Sequence, residues 1–223
     1  MPRPLMNTLS TPPVPTWRGR LHQVAFFVAI PAGIALVALA RGTSARVVAT
    51  VYALSLVGLY GTSAAYHRLA RSPRARLWMK RLDHSMIFVL IAGTVTPVAA
   101  LVLNPPWSIV LLVVVWCGAA LGISLKMFSI DGFRVLTGTL YIVLGWVAIL
   151  MLPQLIRGLS VPSLVLVVVG GVLYTVGAVV LLRRRPDPSP STFGYHEVWH
   201  SMVVAASACH YVAVLLIVLA FRI

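Results

Sequence analysis

The stretch "YHEVWHSMVVAASACHYVAVLLIVLAF", residues 195–221, decides the fold of this chain. It is long and apolar enough to cross the hydrocarbon core of a bilayer as one helix. Its first turns, however, carry His196, Glu197 and His200. Ionisable groups inside a span are costly and mark functional sites by default. The stretch therefore predicts a spanning helix with polar chemistry at one end.

Six further apolar runs precede this one. The chain has 223 residues, of which 60% are hydrophobic and 10% charged, whereas a soluble domain is nearer half apolar and a quarter charged. We expect an all-α membrane protein with seven transmembrane helices, short connections and antiparallel neighbours, forming one domain over residues 23–223. The predicted spans are Gln23–Ala40, Val47–Leu69, Leu82–Leu103, Trp107–Leu125, Val135–Leu152, Val161–Leu182 and Tyr195–Phe221.

The first 22 residues are rich in Pro, Thr and Ser, which predicts a disordered segment. Together with the first span and the "ALA" at Ala38–Ala40 they also imitate a signal peptide with a cleavage site. An uncleaved first span agrees better with the topology that the charges predict.

Basic residues predict the orientation. Lys and Arg number 18 against four acidic residues. Three basic residues precede the first span, six lie between spans two and three, two between four and five, and three between six and seven; the opposite side carries four. The positive-inside rule then puts the N-terminus in the cytoplasm and the C-terminus outside, in a multi-pass protein of the bacterial cytoplasmic membrane. Because the aromatic residues lie inside the apolar runs, the charge does not indicate nucleic-acid binding.

This topology brings the polar residues of three distant spans to one depth, at the cytoplasmic ends of spans two, three and seven. These residues are Ser63, His67, Asp83, His84, His196, Glu197 and His200. No comparable cluster is predicted on the outer side. The convergence predicts one functional site.

The spacing of the histidines favours a metal ion. His196 and His200 are four residues apart, so they share a helix face at about 6 Å, and Ser63 and His67 have the same spacing. Three imidazoles, from His67, His196 and His200, would hold a zinc ion with one position open, the arrangement of catalytic zinc sites. Imidazole also suits other transition metals, so zinc is the preferred ion of several.

Two neighbours would then supply the chemistry. Asp83 could orient a water molecule or act as its base, and Ser63 could hydrogen-bond the water or a substrate carbonyl. Each also has a simpler interpretation. Asp83 could cap the third helix or pair with Arg81, and Ser63 could bond its own helix backbone.

Other histidines have simpler interpretations too. A single histidine at a helix end, such as His67, is often only an interfacial group. His84 is rotated about 100° from Asp83 on the helix, so both cannot face one ion, and we expect a supporting role. His210 is expected to be a buried hydrogen-bonding group, and His22 to be interfacial.

The letters "HEVWH" at residues 196–200 also match the HExxH pattern of metalloproteases, with Glu197 as general base. That interpretation needs a further ligand, for which Asp131 in "IDG" is available, but Asp131 lies in a connection and precedes the motif. It also leaves His67 without a role. We expect Glu197 instead to face the interface, near Arg183–Arg185 or Arg68.

Three motifs together resemble a known family. "SAAYHR" at 63–68, "RLDHSMIFVLIAGTVTP" at 81–97 and "FGYHEVWHSMVVAASACHY" at 193–211 are similar to the bacterial hemolysin III proteins. These belong to the progestin and adipoQ receptor family, which includes the adiponectin receptors, within a superfamily that includes the alkaline ceramidases. The resemblance implies a zinc ion near the cytoplasmic face, bound by His67, His196 and His200, with Asp83 and Ser63 beside it.

The resemblance leaves two classes of function. One is a zinc-dependent hydrolase of lipid amides or esters, with the lipid bilayer as partner and the acyl chain entering between helices. The other is a receptor, membrane-homeostasis factor or cytolysin in which zinc only pins helices together.

Overall fold

The computed structural model describes residues 14–221 and is all-helical over that range. Seven helical units in these residues are long and apolar enough to cross a membrane, which confirms the predicted fold class. The fifth unit is made of two α-helices joined by a 3₁₀ turn. The α-helices are α1 (Arg20–Leu39), α2 (Gly42–Leu69), α3 (Pro73–Val102), α4 (Trp107–Phe128), α5 (Arg134–Trp146), α6 (Leu152–Gly158), α7 (Val161–Arg183) and α8 (Tyr195–Ala220).

Helix α3 begins well before the predicted Leu82. Ser72 caps it by accepting a hydrogen bond from the Ala75 amide at 3.2 Å, and Pro73 follows at a position where a missing N–H costs nothing. Most of the basic segment predicted as a loop is therefore helix. Asp83 lies several turns inside α3, so the prediction that it could cap this helix is wrong.

The fifth span is longer than predicted and is broken. Residues Val147–Met151 form the 3₁₀ turn, and the unit ends at Gly158 rather than Leu152. Pro153 lies in the first turn of α6, where its ring and missing N–H prevent a continuous α-helix through this point.

Helix packing relies on small residues. A Cβ atom added to Gly122 of α4 would collide with the ring of Phe88, and one added to Gly93 of α3 would collide with Ser55 of α2. Small residues let membrane helices approach closely, because lipid supplies no hydrophobic force between them. The outward faces are apolar, with Val24, Ile34 and others exposed to the surroundings.

Residues 15–19, which we call the N-terminal turn, are fixed to the α7–α8 loop, residues 184–194. The amides of Thr16 and Trp17 donate to the carbonyls of Ser191 and Thr192, both at 3.1 Å. Residues 14–22 of the predicted disordered segment thus form this turn and the start of α1. Its remaining residues, 1–13, lie outside the described range.

The helix ends that carry the predicted site residues lie on the same side of the bundle as this turn. They are the starts of α3 and α8 and the end of α2, and the start of α1 lies with them. We call this side the histidine end.

Candidate metal centre

The histidine end holds a compact group of three imidazoles. His67 comes from the last turn of α2, and His196 and His200 from the first turns of α8. One ligand atom of each lies within 4.8 Å of the others. The three residues proposed as ligands from their spacing are therefore close enough to hold one metal ion.

The geometry of the group fits a metal ion. The Nε2 atoms of His67 and His196 are 3.2 Å apart, and two nitrogens bound tetrahedrally to zinc would lie about 3.3–3.4 Å apart. This separation also suits a direct N–H···N hydrogen bond between the two rings. The surroundings of the third histidine, His200, distinguish the two possibilities. His200 is 1% exposed, and its buried Nε2 finds no hydrogen-bond partner among the described residues. Such an atom costs free energy unless something binds it.

Asp83 and Ser63, the two residues predicted to act beside the ion, lie on α3 and α2. Both side chains are buried, and the Ser63 hydroxyl lies beside the Asp83 carboxyl group. No ion pair links Asp83 to Arg81 within residues 14–221, contrary to one predicted interpretation. Ser63 Oγ is 2.8 Å from a ring nitrogen of His22, so it is not turned towards its own helix backbone as the other alternative required.

His22 is the residue that sequence reasoning missed. It was expected at the interface but is only 3% exposed, and its ring stacks on that of His200 with centroids 3.7 Å apart. One sequence feature could have placed His22 at the site: it lies at the start of an apolar run, on the side where the other histidines converge.

Glu197 does not face the interface near Arg183–Arg185 or Arg68. It is 1% exposed, and its Oε1 accepts a hydrogen bond from Arg18 Nε at 2.6 Å. Its Oε2 accepts from the Gly194 amide at 3.0 Å, which closes the first turn of α8. Both oxygens are thus engaged, which argues against the general-base role that the HExxH interpretation requires.

Asp131, the extra ligand that this interpretation needs, is also elsewhere. Its carboxylate binds Arg134 at 2.7 Å and Lys80 at 3.0 Å in the connection between α4 and α5. The hydrogen bonds from these two cations lower the pKa of Asp131. The residue belongs to a surface cluster of ion pairs with Lys80 and Arg134 and not to the histidine group.

The two remaining histidines have local partners. His84 Nδ1 lies 2.9 Å from the Lys80 carbonyl, one turn back in α3. His210 Nε2 lies 3.1 Å from the Val167 carbonyl of α7, which agrees with the predicted hydrogen-bonding role. Neither is part of the three-residue group.

The N-terminal turn covers the group directly. Gly19 has φ +77°, and a Cβ atom built there would lie 2.6 Å from the Cβ of His67. Arg18, next to it, reaches the buried Glu197. The turn and the α7–α8 loop therefore close the histidine end towards the aqueous side.

These features define a multi-pass membrane protein with a three-histidine group at one end of a seven-helix bundle, of which His200 is buried and the other two are half-buried. Residues 11–211 match the family described as Haemolysin-III related. The chain is 35% identical over 201 residues to Hemolysin-3 of Bacillus cereus, covering 89% of each chain. It is 32% identical over 197 residues to the Hemolysin-3 homolog of Bacillus subtilis (strain 168), covering 87% of this chain and 89% of that relative. The chain belongs to the haemolysin-III related family, as its motifs indicated.

Proposed function

We propose that this protein is a zinc-dependent hydrolase that cleaves an amide or ester bond of a membrane lipid. The observation that carries the proposal is the group formed by His67, His196 and His200 at one end of the bundle. The carboxyl group of Asp83 is buried in α3, which begins at the same end. A structural zinc site uses four protein ligands, whereas three histidines leave a position for water or substrate.

A zinc ion held there would supply Lewis acidity towards a carbonyl group and promote the ionisation of water near neutral pH. The resemblance to alkaline ceramidases points to the same ion and the same class of bond. The donor set alone would accept other transition metals.

Asp83 is the residue suited to proton transfer. Two carboxyl groups are buried at the histidine end, those of Asp83 and Glu197, and Glu197 is already paired with Arg18. Asp83 would accept a proton from the attacking water and return it to the leaving nitrogen or oxygen. The products are a fatty acid and an amine or an alcohol. Ser63 would donate its hydroxyl hydrogen to the substrate carbonyl oxygen.

The position of the site suits a lipid substrate. The histidine end is covered on its aqueous side by the N-terminal turn, while the helix faces around it are apolar. We infer that the acyl chain enters from the bilayer, between helices. We also infer that this end faces the cytoplasm, because most basic residues lie there.

The test compares two carboxyl groups. Wild type, Asp83→Asn and the matched control Asp131→Asn are purified in detergent, loaded with zinc and assayed by elemental mass spectrometry. The same samples are then assayed for fatty acid release from a ceramide and from a diacyl phospholipid. We expect about one zinc per chain in all three. Hydrolysis should fall about 10²–10⁴-fold in Asp83→Asn only, which is the usual contribution of a general base.

Each failure has its own meaning. Undiminished hydrolysis by Asp83→Asn with zinc bound would remove Asp83 from the mechanism. A wild-type protein that stays metal-free after zinc addition would contradict the whole proposal. Zinc retained in His67→Ala but lost in His196→Ala and His200→Ala would favour the HExxH arrangement.

The names of the relatives favour a second candidate, a cytolysin in which zinc fixes α2 to α8. Its test is dye release from phosphatidylcholine vesicles that contain the purified protein. Dye release that is lost in His67→Ala but unchanged in Asp83→Asn would support the cytolysin. No release from vesicles, together with lipid hydrolysis, would support the enzyme.

A further inference from the structure

His22 is a buried imidazole that the proposed reaction does not yet use. It lies in the first turn of α1, a helix that is apolar beyond Gln23. Its ring is nearly parallel to that of His200, with 5° between the planes and 3.7 Å between centroids. The ring of Tyr60 meets it at 65° and 5.1 Å. His22 is therefore fixed between α2 and α8, against one of the three grouped histidines.

Its two ring nitrogens differ in their surroundings. Nδ1 lies 2.8 Å from Ser63 Oγ, whereas Nε2 is buried without a hydrogen-bond partner among the described residues. A neutral imidazole carries one N–H. Nε2 is unpaired in either tautomer, so it does not decide between them. Ser63 has a single hydroxyl hydrogen, and the Asp83 carboxyl group is an acceptor for it, so the consistent arrangement has His22 Nδ1–H donating to Ser63 Oγ.

This hydrogen bond sets the direction of the Ser63 hydroxyl. Because Ser63 Oγ accepts from His22, its own hydrogen must point elsewhere, and the Asp83 carboxyl group lies beside it. Without substrate the hydrogen points to Asp83, and it would turn to the substrate carbonyl oxygen when that oxygen is bound. His22 would fix this donor before the substrate arrives.

We propose that His22 is a positioning residue of the histidine centre, with two separable roles. Its ring fixes the plane of His200, and its Nδ1–H directs the Ser63 hydroxyl. Simple packing does not explain an imidazole here, since a phenylalanine ring would stack without leaving a buried nitrogen unpaired. The inference rests on the proposed function, but its first role is testable without any substrate.

The first experiment uses cobalt(II) as the probe, because its visible absorption reports the ligand arrangement. Cobalt affinity and spectrum are measured for wild type, His22→Ala, His22→Phe and the control His210→Ala, which removes a half-buried imidazole outside the centre. We expect His22→Ala to bind cobalt about 10-fold more weakly, the usual loss when a group supporting a ligand is removed. His22→Phe keeps a flat ring and should match wild type, as should His210→Ala.

The ring role is overturned if His22→Ala and His210→Ala give the same affinity and spectrum as wild type. It is also overturned if His22→Phe binds cobalt as weakly as His22→Ala, because a stacked ring would then not be enough to keep the affinity of wild type. His22→Phe nearly conserves volume, so it guards against the case in which His22→Ala does not fold.

The second experiment is a double-mutant cycle on lipid hydrolysis by zinc-loaded protein. His22→Phe and Ser63→Ala should each lower kcat, by up to about 100-fold for a misplaced group. The double variant should be no slower than either single one, because both remove the same donor. Additive losses would overturn the path through Ser63. If wild type hydrolyses no probe lipid, the proposed function fails, while the cobalt measurement still decides the ring role.

Discussion

At the scale of single residues, Glu197 shows how burial changes the meaning of a motif. In sequence it is the second letter of HExxH, the position of a general base. In the structure its two oxygens bind Arg18 and the Gly194 amide, and the side chain is 1% exposed. The same contacts tie the N-terminal turn to the first turn of α8, so Glu197 fixes a covering segment over the site.

Replacing Glu197 by Gln should therefore change stability and not chemistry. The amide can still accept from Gly194, but the charge that faces Arg18 is lost, which should cost about 1.5–3 kcal/mol for a hydrogen bond between charged groups. Thermal unfolding of the purified protein in detergent measures the loss, with zinc content and hydrolysis assayed on the same sample.

Arg18→Gln is the matched variant, and the double variant should be little worse than either single one because the two residues share one interaction. Two outcomes would contradict this account. An unchanged unfolding temperature would mean that the pair contributes nothing, and lost hydrolysis with zinc retained would return Glu197 to the role of a base.

The three grouped histidines were predictable because depth in the membrane follows from span order, and because residues four apart share one face of a helix with 3.6 residues per turn. His22 was not, because its partners Ser63 and His200 lie 41 and 178 positions away in sequence and only packing brings them together. The Arg18–Glu197 pair was not predicted for the same reason. His22 and Arg18 both belong to the first 22 residues, whose composition indicates disorder.

At the scale of helices, apolar length indicated each span, but side-chain chemistry decided where each helix ends. Ser72 and Pro73 start α3 earlier than hydropathy indicates, and Pro153 breaks the fifth span. Close helix contacts are less visible in sequence. Gly122 and Gly138 look alike in the sequence, yet a Cβ atom would collide with Phe88 at the first and meet nothing within 4 Å at the second.

This contrast gives a matched pair of substitutions. Gly122→Ala should destabilise the protein by about 1–3 kcal/mol, the usual cost of overpacking, because α4 must move away from Phe88 of α3. Gly138→Ala in α5 should be neutral or stabilising, since alanine favours a helix and the site is open. Thermal unfolding of both variants in one detergent measures the difference. Equal unfolding temperatures would show that α3 and α4 do not depend on this close approach.

At the scale of the whole molecule, the fold gathers basic charge and buried polar chemistry at the same end. The N-terminal turn, the start of α3 and the α7–α8 loop all lie at the histidine end, and each carries arginines. The positive-inside rule therefore predicts a cytoplasmic histidine end. That orientation would bring zinc from the cytoplasm to the site and release the polar product there, while the fatty acid stays in the membrane.

Cysteine labelling tests this orientation. Cys117 and Cys209 are first replaced by Ala, and a single cysteine is placed at Asn104, in the connection between α3 and α4, or at Pro188, in the α7–α8 loop. Both positions are exposed. In right-side-out membrane vesicles, a membrane-impermeant maleimide should label Asn104→Cys at once and Pro188→Cys only after detergent is added. Inside-out vesicles should give the reverse and serve as the control. Labelling of Pro188→Cys in intact right-side-out vesicles would place the histidine end outside, and a substrate and metal supply on that side would then have to be sought.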